Sequence, residues 1–220
     1  MLELARGNPR RALALWQRAL QAGDAVSARL LGLLLRELPT DAGVTQDEVE
    51  SMYTLAAEMG DTEAMCEMVR VHAQRGELDA AETWARRALI RGSNTGSSQA
   101  LAELTMATLM AVRRRPRDEE AWYRRAAARG HPTAMLNLGV VLLQRGERDE
   151  AEQWYRASLA AGLLEAEVNL GTLYRQRGMP GEARRWYQRA ADRGDLLAER
   201  ALREMSDVDD AGQANRPSTG

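Results

Sequence analysis

Residues 134–162 read AMLNLGVVLLQRGERDEAEQWYRASLAAG and residues 166–194 read AEVNLGTLYRQRGMPGEARRWYQRAADRG, and the two align without a gap. Self-similarity at a fixed period marks a repeat array, in which each unit packs only on its neighbours. Taking the closing glycine as a ruler gives Gly23, Gly60, Gly92, Gly130, Gly162 and Gly194, spaced 37, 32, 38, 32 and 32 residues apart. Six copies therefore span nearly all of the 220 residues.

Each copy has a column logic. Four residues before the closing glycine stands a small residue: Ala19, Ala56, Ala88, Ala126, Ser158 or Ala190. Seven before it stands an aromatic in five copies, Trp16, Tyr53, Tyr123, Tyr155 and Tyr187, with Trp84 one place off. Eleven before it another small residue recurs as Ala12, Ala81, Ala151 and Ala183. Offsets of three, four and seven share one helical stripe, so the small residues admit a close neighbour and the aromatic fills the space between them. After the glycine a second helix begins, with a Leu-Gly pair at Leu31-Gly32, Leu138-Gly139 and Leu170-Gly171. Glycine inside a helix costs about 1 kcal/mol against alanine, so its recurrence predicts a crossing with no room for a Cβ. The turn that follows carries Gly76, Gly146 and Gly178, as a helix C-cap would.

The run Leu170, Gly171, Tyr174, Gly178, Ala183, Trp186, Tyr187, Ala190 resembles the tetratricopeptide and Sel1-like repeat families. The Sel1-like character lies in the ending W-Y-x-x-A-A-x-x-G at 122–130 and 186–194, in a close variant at 154–162, and in a Sel1-type link over 43–47. The resemblance covers residues 1–205 and implies an all-α fold, an α-solenoid of antiparallel helix pairs wound as a right-handed superhelix. Two departures stand out: the 32-residue copies are short for Sel1 units, and the third copy carries an insertion at 93–98. The paired cysteines of the secreted Sel1-like branch are missing, since Cys66 is the only cysteine.

Composition narrows the function classes. Thirty basic and 32 acidic residues give a net charge of −2, and every basic residue is arginine, a bias that points to a high-GC bacterial genome. A balanced charge argues against nucleic-acid binding, which calls for a basic excess to neutralise phosphates. The apolar runs at 30–35 and 138–143 are far too short for a membrane span, and no secretory signal opens the chain. A lone cysteine fits a buried small hydrophobe in a reducing cytoplasm. His72 stands in the tyrosine column of its copy and His131 precedes Pro132; with no other histidine, no catalytic constellation, metal site or cofactor site is expected.

The ends differ. Residues 1–6 are the tail of a first helix whose Leu-Gly half is missing, which would leave an open end for self-association or mark a piece of a longer protein. Residues 195–205 form a last helix with Glu199, Arg200, Arg203 and Glu204 suited to a cap, and 206–220 is expected to be disordered. The basic run 113–117 is placed in a long inter-helix link as a solvated loop.

The resemblance implies a non-catalytic scaffold or adaptor that holds a protein or peptide in a concave groove lined by the first helices. Asn137 and Asn169 match the family's backbone-gripping asparagine, an amide that donates and accepts at once. Gln74, Gln144 and Gln176 recur farther along the same helices, with Thr172 and Arg175 between, while Arg70 and Arg175 are candidates to grip a carboxylate. Alternative readings are the repeat segment of a larger signalling or regulatory protein and an RNA-binding helical repeat.

Overall fold

The computed structural model describes residues 23–37, 45–92 and 96–214, with side chains to 206. The first copy's columns at Gly7, Ala12, Trp16 and Ala19, the open N-terminal end, and residues 215–220 lie outside the described residues. Eleven helices and no strand occupy the described part: α1 Ala25–Glu37, α2 Gln46–Glu58, α3 Thr62–Gln74, α4 Leu78–Arg91, α5 Gly96–Val112, α6 Pro116–Ala128, α7 Pro132–Gln144, α8 Arg148–Ala160, α9 Ala166–Gln176, α10 Pro180–Ala191 and α11 Leu196–Ala214. They form two compact units, Met1–Arg129 with α1 to α6 and Gly130–Gly220 with α7 to α11, where the sequence pattern alone delimits one array. The fold is all-α, built of antiparallel helix pairs, as expected.

Local chemistry sets the element starts. Thr45 caps α2 through a capping box, accepting from the Glu48 amide at 3.2 Å while Glu48 accepts from the Thr45 amide at 2.9 Å. Of the 43–47 link, Gln46 and Asp47 are already helical, and 43–44 lie outside the described residues. Asp61 caps α3, accepting from the Ala64 amide at 2.8 Å.

In the α3–α4, α5–α6, α7–α8 and α9–α10 pairs the helices join through a three-residue turn. Its third amide donates back across the helix end: Glu77 to His72 and Arg115 to Met110 at 2.9 Å, Glu147 to Leu142 at 2.9 Å, Met179 to Tyr174 at 3.0 Å. This is a Schellman-type closure and demands a left-handed middle residue. Gly76, Gly146 and Gly178 supply it at φ 77°, 83° and 71°; in the α5–α6 turn Arg114 does so at φ 56°. The run 113–117 is therefore not a long link. Pro116 opens α6, where a missing N–H is harmless, and the extra length of that copy is absorbed at the start of α5, which takes in Gly96 to Ser98 of the insertion.

The Leu-Gly column and the tyrosine column meet. A Cβ on Gly32 would lie 2.9 Å from Tyr53, on Gly139 2.5 Å from Tyr155, and on Gly171 2.7 Å from Tyr187. The glycines are thus required by the rings, as the sequence predicts. In the third copy the corresponding residues are Val69 and Ala85, both buried in one cluster with Met106 and Leu109. Trp84 is accordingly not a displaced member of the tyrosine column. It belongs to an outer column with Trp122, Trp154 and Trp186, half-buried, and the Arg87, Arg125 and Arg189 guanidinium groups lie 4.1, 4.4 and 4.8 Å from the centroids of Trp84, Trp122 and Trp186.

A second recurrent feature is a buried carboxylate. Glu103 on α5 is enclosed and paired with Arg125 of α6 at 3.2 Å and with the α6 C-cap residue Arg129 at 2.8 Å. Glu167 on α9 sits in the same register, paired with Arg189 at 3.1 Å and with Arg193, both from the α10 end. Neither Glu167 oxygen has an aligned hydrogen bond, so charge proximity rather than hydrogen-bond geometry offsets its burial. Met65 and Met135 hold this position in α3 and α7.

The last helix, α11, runs to Ala214, nine residues past Met205, so its backbone enters the segment expected to be disordered. Its first turn leaves Leu196 and Leu197 largely exposed, in contrast to the polar cap expected there.

Candidate functional site

In the first unit the first helices of three copies, α1, α3 and α5, line a groove of about 570 Å³. Its composition follows from what each helix has left after packing. α5 carries a single charged residue, Glu103, and that side chain is turned into the α6 arginines. Its opposite side brings Leu101, Leu104, Thr105 and Thr108 to the groove without any charge, and Val112 at the end is 55% exposed. α3 contributes Cys66, Val69 and Ala73 below and Glu67, Arg70 and Gln74 at the rim; α1 contributes Arg29 and Leu33.

The rim charges satisfy one another. Arg29 bonds Asp61 at 3.1 Å and Glu63 at 2.8 Å. Glu67 is held by Arg36 at 3.1 Å and by Arg70 at 2.8 Å, and Arg70 also donates to Gln74 at 3.2 Å. The groove therefore has an uncharged wall on α5 and a wall on α3 whose charges are internally balanced. Cys66 is nearly enclosed, and burial pushes its thiol up to about 12, with a hydrogen bond to Thr105 opposing the shift in part. It is a packing thiol rather than a nucleophile.

The sequence-derived candidates divide between the units. Arg70 and Gln74 do line the groove, but the Arg70 guanidinium is committed to Glu67 and Gln74, which removes it as a ready carboxylate grip. In the second unit Asn137 is half-buried on α7, and Asn169 on α9 donates to the Glu165 carbonyl of its own helix start at 3.5 Å. The Thr172 hydroxyl is engaged with the Val168 carbonyl at 3.1 Å and the Tyr187 hydroxyl at 2.9 Å, so it packs the helix pair. Arg175 lies 3.8 Å from Glu204 of α11, and Gln144 and Gln176 are exposed at the ends of α7 and α9.

The sequence pattern does not mark the α5 wall because α5 lacks the Leu-Gly pair that marks α1, α7 and α9. The signal that could have found it is a 17-residue helix with one charge.

The histidines are accounted for separately. His72 Nδ1 lies 2.6 Å from Glu77 at the α3–α4 turn. His131 precedes α7 half-buried, with Nδ1 unpartnered and burial lowering its pKa. No group of three potential metal ligands occurs among the described residues, and no described helix is long and apolar enough to cross a membrane.

Family models described as tetratricopeptide repeat match residues 62–87, 133–161 and 168–201. Among solved structures the chain is similar to c5321, a protective antigen of uropathogenic Escherichia coli strains displaying an SLR fold. The identity is 22% and the TM-score 0.68, over 89% of this chain and 44% of that one. It is similar to a Sel1 repeat protein from Oxalobacter formigenes, with 24% identity and TM-score 0.63 over 84% of this chain and 80% of that one. It is also similar to YrrB, a TPR protein with an unusual peptide-binding site, with 19% identity and TM-score 0.53 over 86% of this chain and 97% of that one. At these identities the likeness establishes the fold alone, and the chain spans less than half the length of c5321. No curated protein matches the sequence.

Proposed function

Because the chain belongs to the tetratricopeptide/Sel1-like repeat family, whose repeats are generally protein-interaction scaffolds, we propose that it holds an uncharged, apolar segment of a protein partner in the α1–α3–α5 groove. The observation that carries this reading is the pairing of the groove's charges. A charged ligand would have to break the Arg29–Glu63 or Arg70–Glu67 contacts, whereas apolar side chains meet Leu101, Leu104 and Val112 at no such cost. A groove of this volume lies within the range of about 300–1,000 Å³ usual for ligand sites, and apolar walls with few polar groups are their normal composition. The peptide-binding site named for YrrB supports a peptide as the kind of ligand this fold accepts.

The test is selection of a displayed peptide library on the full chain. The expected consensus has two or three apolar residues on one face and no charge between them, and Leu104→Asp lowers its affinity at least tenfold with helicity unchanged. Asn137→Ala with Asn169→Ala leaves it within about twofold. A consensus ending in a carboxylate and dependent on Arg70, or one lost in the asparagine variant alone, would overturn the groove assignment.

A further inference from the structure

A carboxylate occupies the same position in three helices, buried in two of them and open in the third. Counting from the closing glycines, Glu199 on α11 stands where Glu167 stands on α9, and Glu103 sits in the same register on α5. Glu103 and Glu167 are each clamped by two arginines four residues apart on the following helix, Arg125 with Arg129 and Arg189 with Arg193. Glu199 is half-buried and has no ion pair among the described residues. Leu202, in the place of the fully buried Leu170, is only half-buried, and Arg203, in the place of the buried Gly171, is exposed. The face of α11 that a following helix would cover thus keeps its acceptor, an apolar neighbour and its exposure together.

We propose that this face receives a helix of a partner protein carrying two arginines four residues apart, with a small residue two positions ahead of the first. The arginine spacing is read from the two clamps inside this molecule. The small residue is required by Arg203, which stands where Gly171 stands on α9. The Tyr187 ring presses on Gly171, and α5–α6 admits no more than Ala107 in that register with Tyr123, so a side chain as long as arginine excludes a tyrosine from the incoming helix. Where this chain itself places a larger residue there, at Val69, the facing residue is Ala85. Helix α4 has the full pattern, Ala85, Arg87 and Arg91, on a face whose Ala81, Ala85 and Ala88 are all enclosed. Its sequence therefore serves as a probe of the chemistry, α4 itself being already packed against α3 and α5.

The experiment titrates a peptide of residues 78–92, stapled on its exposed face to hold it helical, into the full chain and measures affinity by fluorescence anisotropy. Saturable binding is expected. It falls at least tenfold with Glu199→Gln or with Arg87 and Arg91 of the peptide replaced by glutamine, and tightens with Arg203→Gly. It is unchanged by Leu104→Asp, which separates this face from the α1–α3–α5 groove. Absence of binding at millimolar peptide, or an affinity indifferent to Glu199→Gln, overturns the proposal. So does self-association of the chain, seen by sedimentation equilibrium, that Glu199→Gln abolishes, since a second copy would then be the occupant.

Discussion

The α3–α4 pair of the first unit and the α9–α10 pair of the second share one hairpin geometry and solve its interior in opposite ways. At the crossing, α9–α10 puts glycine under a tyrosine, Gly171 beneath Tyr187, while α3–α4 divides the same volume between Val69 and Ala85. One turn earlier, α9–α10 buries Glu167 between Arg189 and Arg193, while α3–α4 buries Met65; Arg87 and Arg189 both lie over the tryptophan of their own helix, Trp84 and Trp186. The backbone therefore tolerates either solution, and what is held constant is summed volume and neutralised charge, not residue identity.

The difference can be broken first at the ion pairs. Replacing both Arg189 and Arg193 with alanine strands a buried carboxylate and should cost about 4 kcal/mol in chemical denaturation, against less than about 1 kcal/mol for Arg87→Ala with Arg91→Ala. Glu167→Met, which copies the α3 solution and frees two half-exposed arginines to water, should stay within about 1 kcal/mol of the parent. Equal losses for the two double-arginine variants would mean that the α9–α10 clamp contributes nothing particular.

The crossing comes next. Gly171→Val forces two methyl groups and a Cβ into the Tyr187 ring and should destabilise by about 3 kcal/mol, and Tyr187→Ala alone should cost as much by leaving a cavity. Together they recreate the Val69–Ala85 arrangement. The double variant should recover at least half of the summed loss, a coupling visible in a double-mutant cycle. Strict additivity would refute the idea of a shared, exchangeable volume.

The smallest effect belongs to the turns. Arg114 adopts a left-handed conformation that the α3–α4 and α9–α10 turns give to Gly76 and Gly178. Arg114→Gly should raise stability by about 1 kcal/mol or less, since relief of backbone strain is partly offset by the entropy of glycine in the unfolded chain. A loss instead of a gain, read from the shift in thermal midpoint, would show that the arginine side chain contributes more than its backbone costs.

Much of this is legible in the sequence. The period, the helix pairs, the turn glycines and the close approach of the Leu-Gly pair to an aromatic all follow from spacing, because each is decided within one copy of about 32 residues. The groove was legible only in part: Arg70 and Gln74 were marked, but their neighbours on α5 were not. Thr172 looked available and proved bonded to Tyr187, fifteen residues on. Arg70 stands in the sequence as a candidate carboxylate grip, and its pairing with Glu67 three residues before it is seen only in the structure.

The sequence by itself determined that this protein is a stack of antiparallel helix pairs, since periodicity and small-residue columns act locally and repeat. The tertiary structure alone decided which first-helix face stays uncharged and open, which arginines are spent on carboxylates 22 to 34 residues away, and that Glu199 has no such partner among the described residues. Those outcomes depend on what the facing helix, of the same copy or of the next, brings against each side chain, and a pattern read along one chain carries the positions of charges but not their pairing.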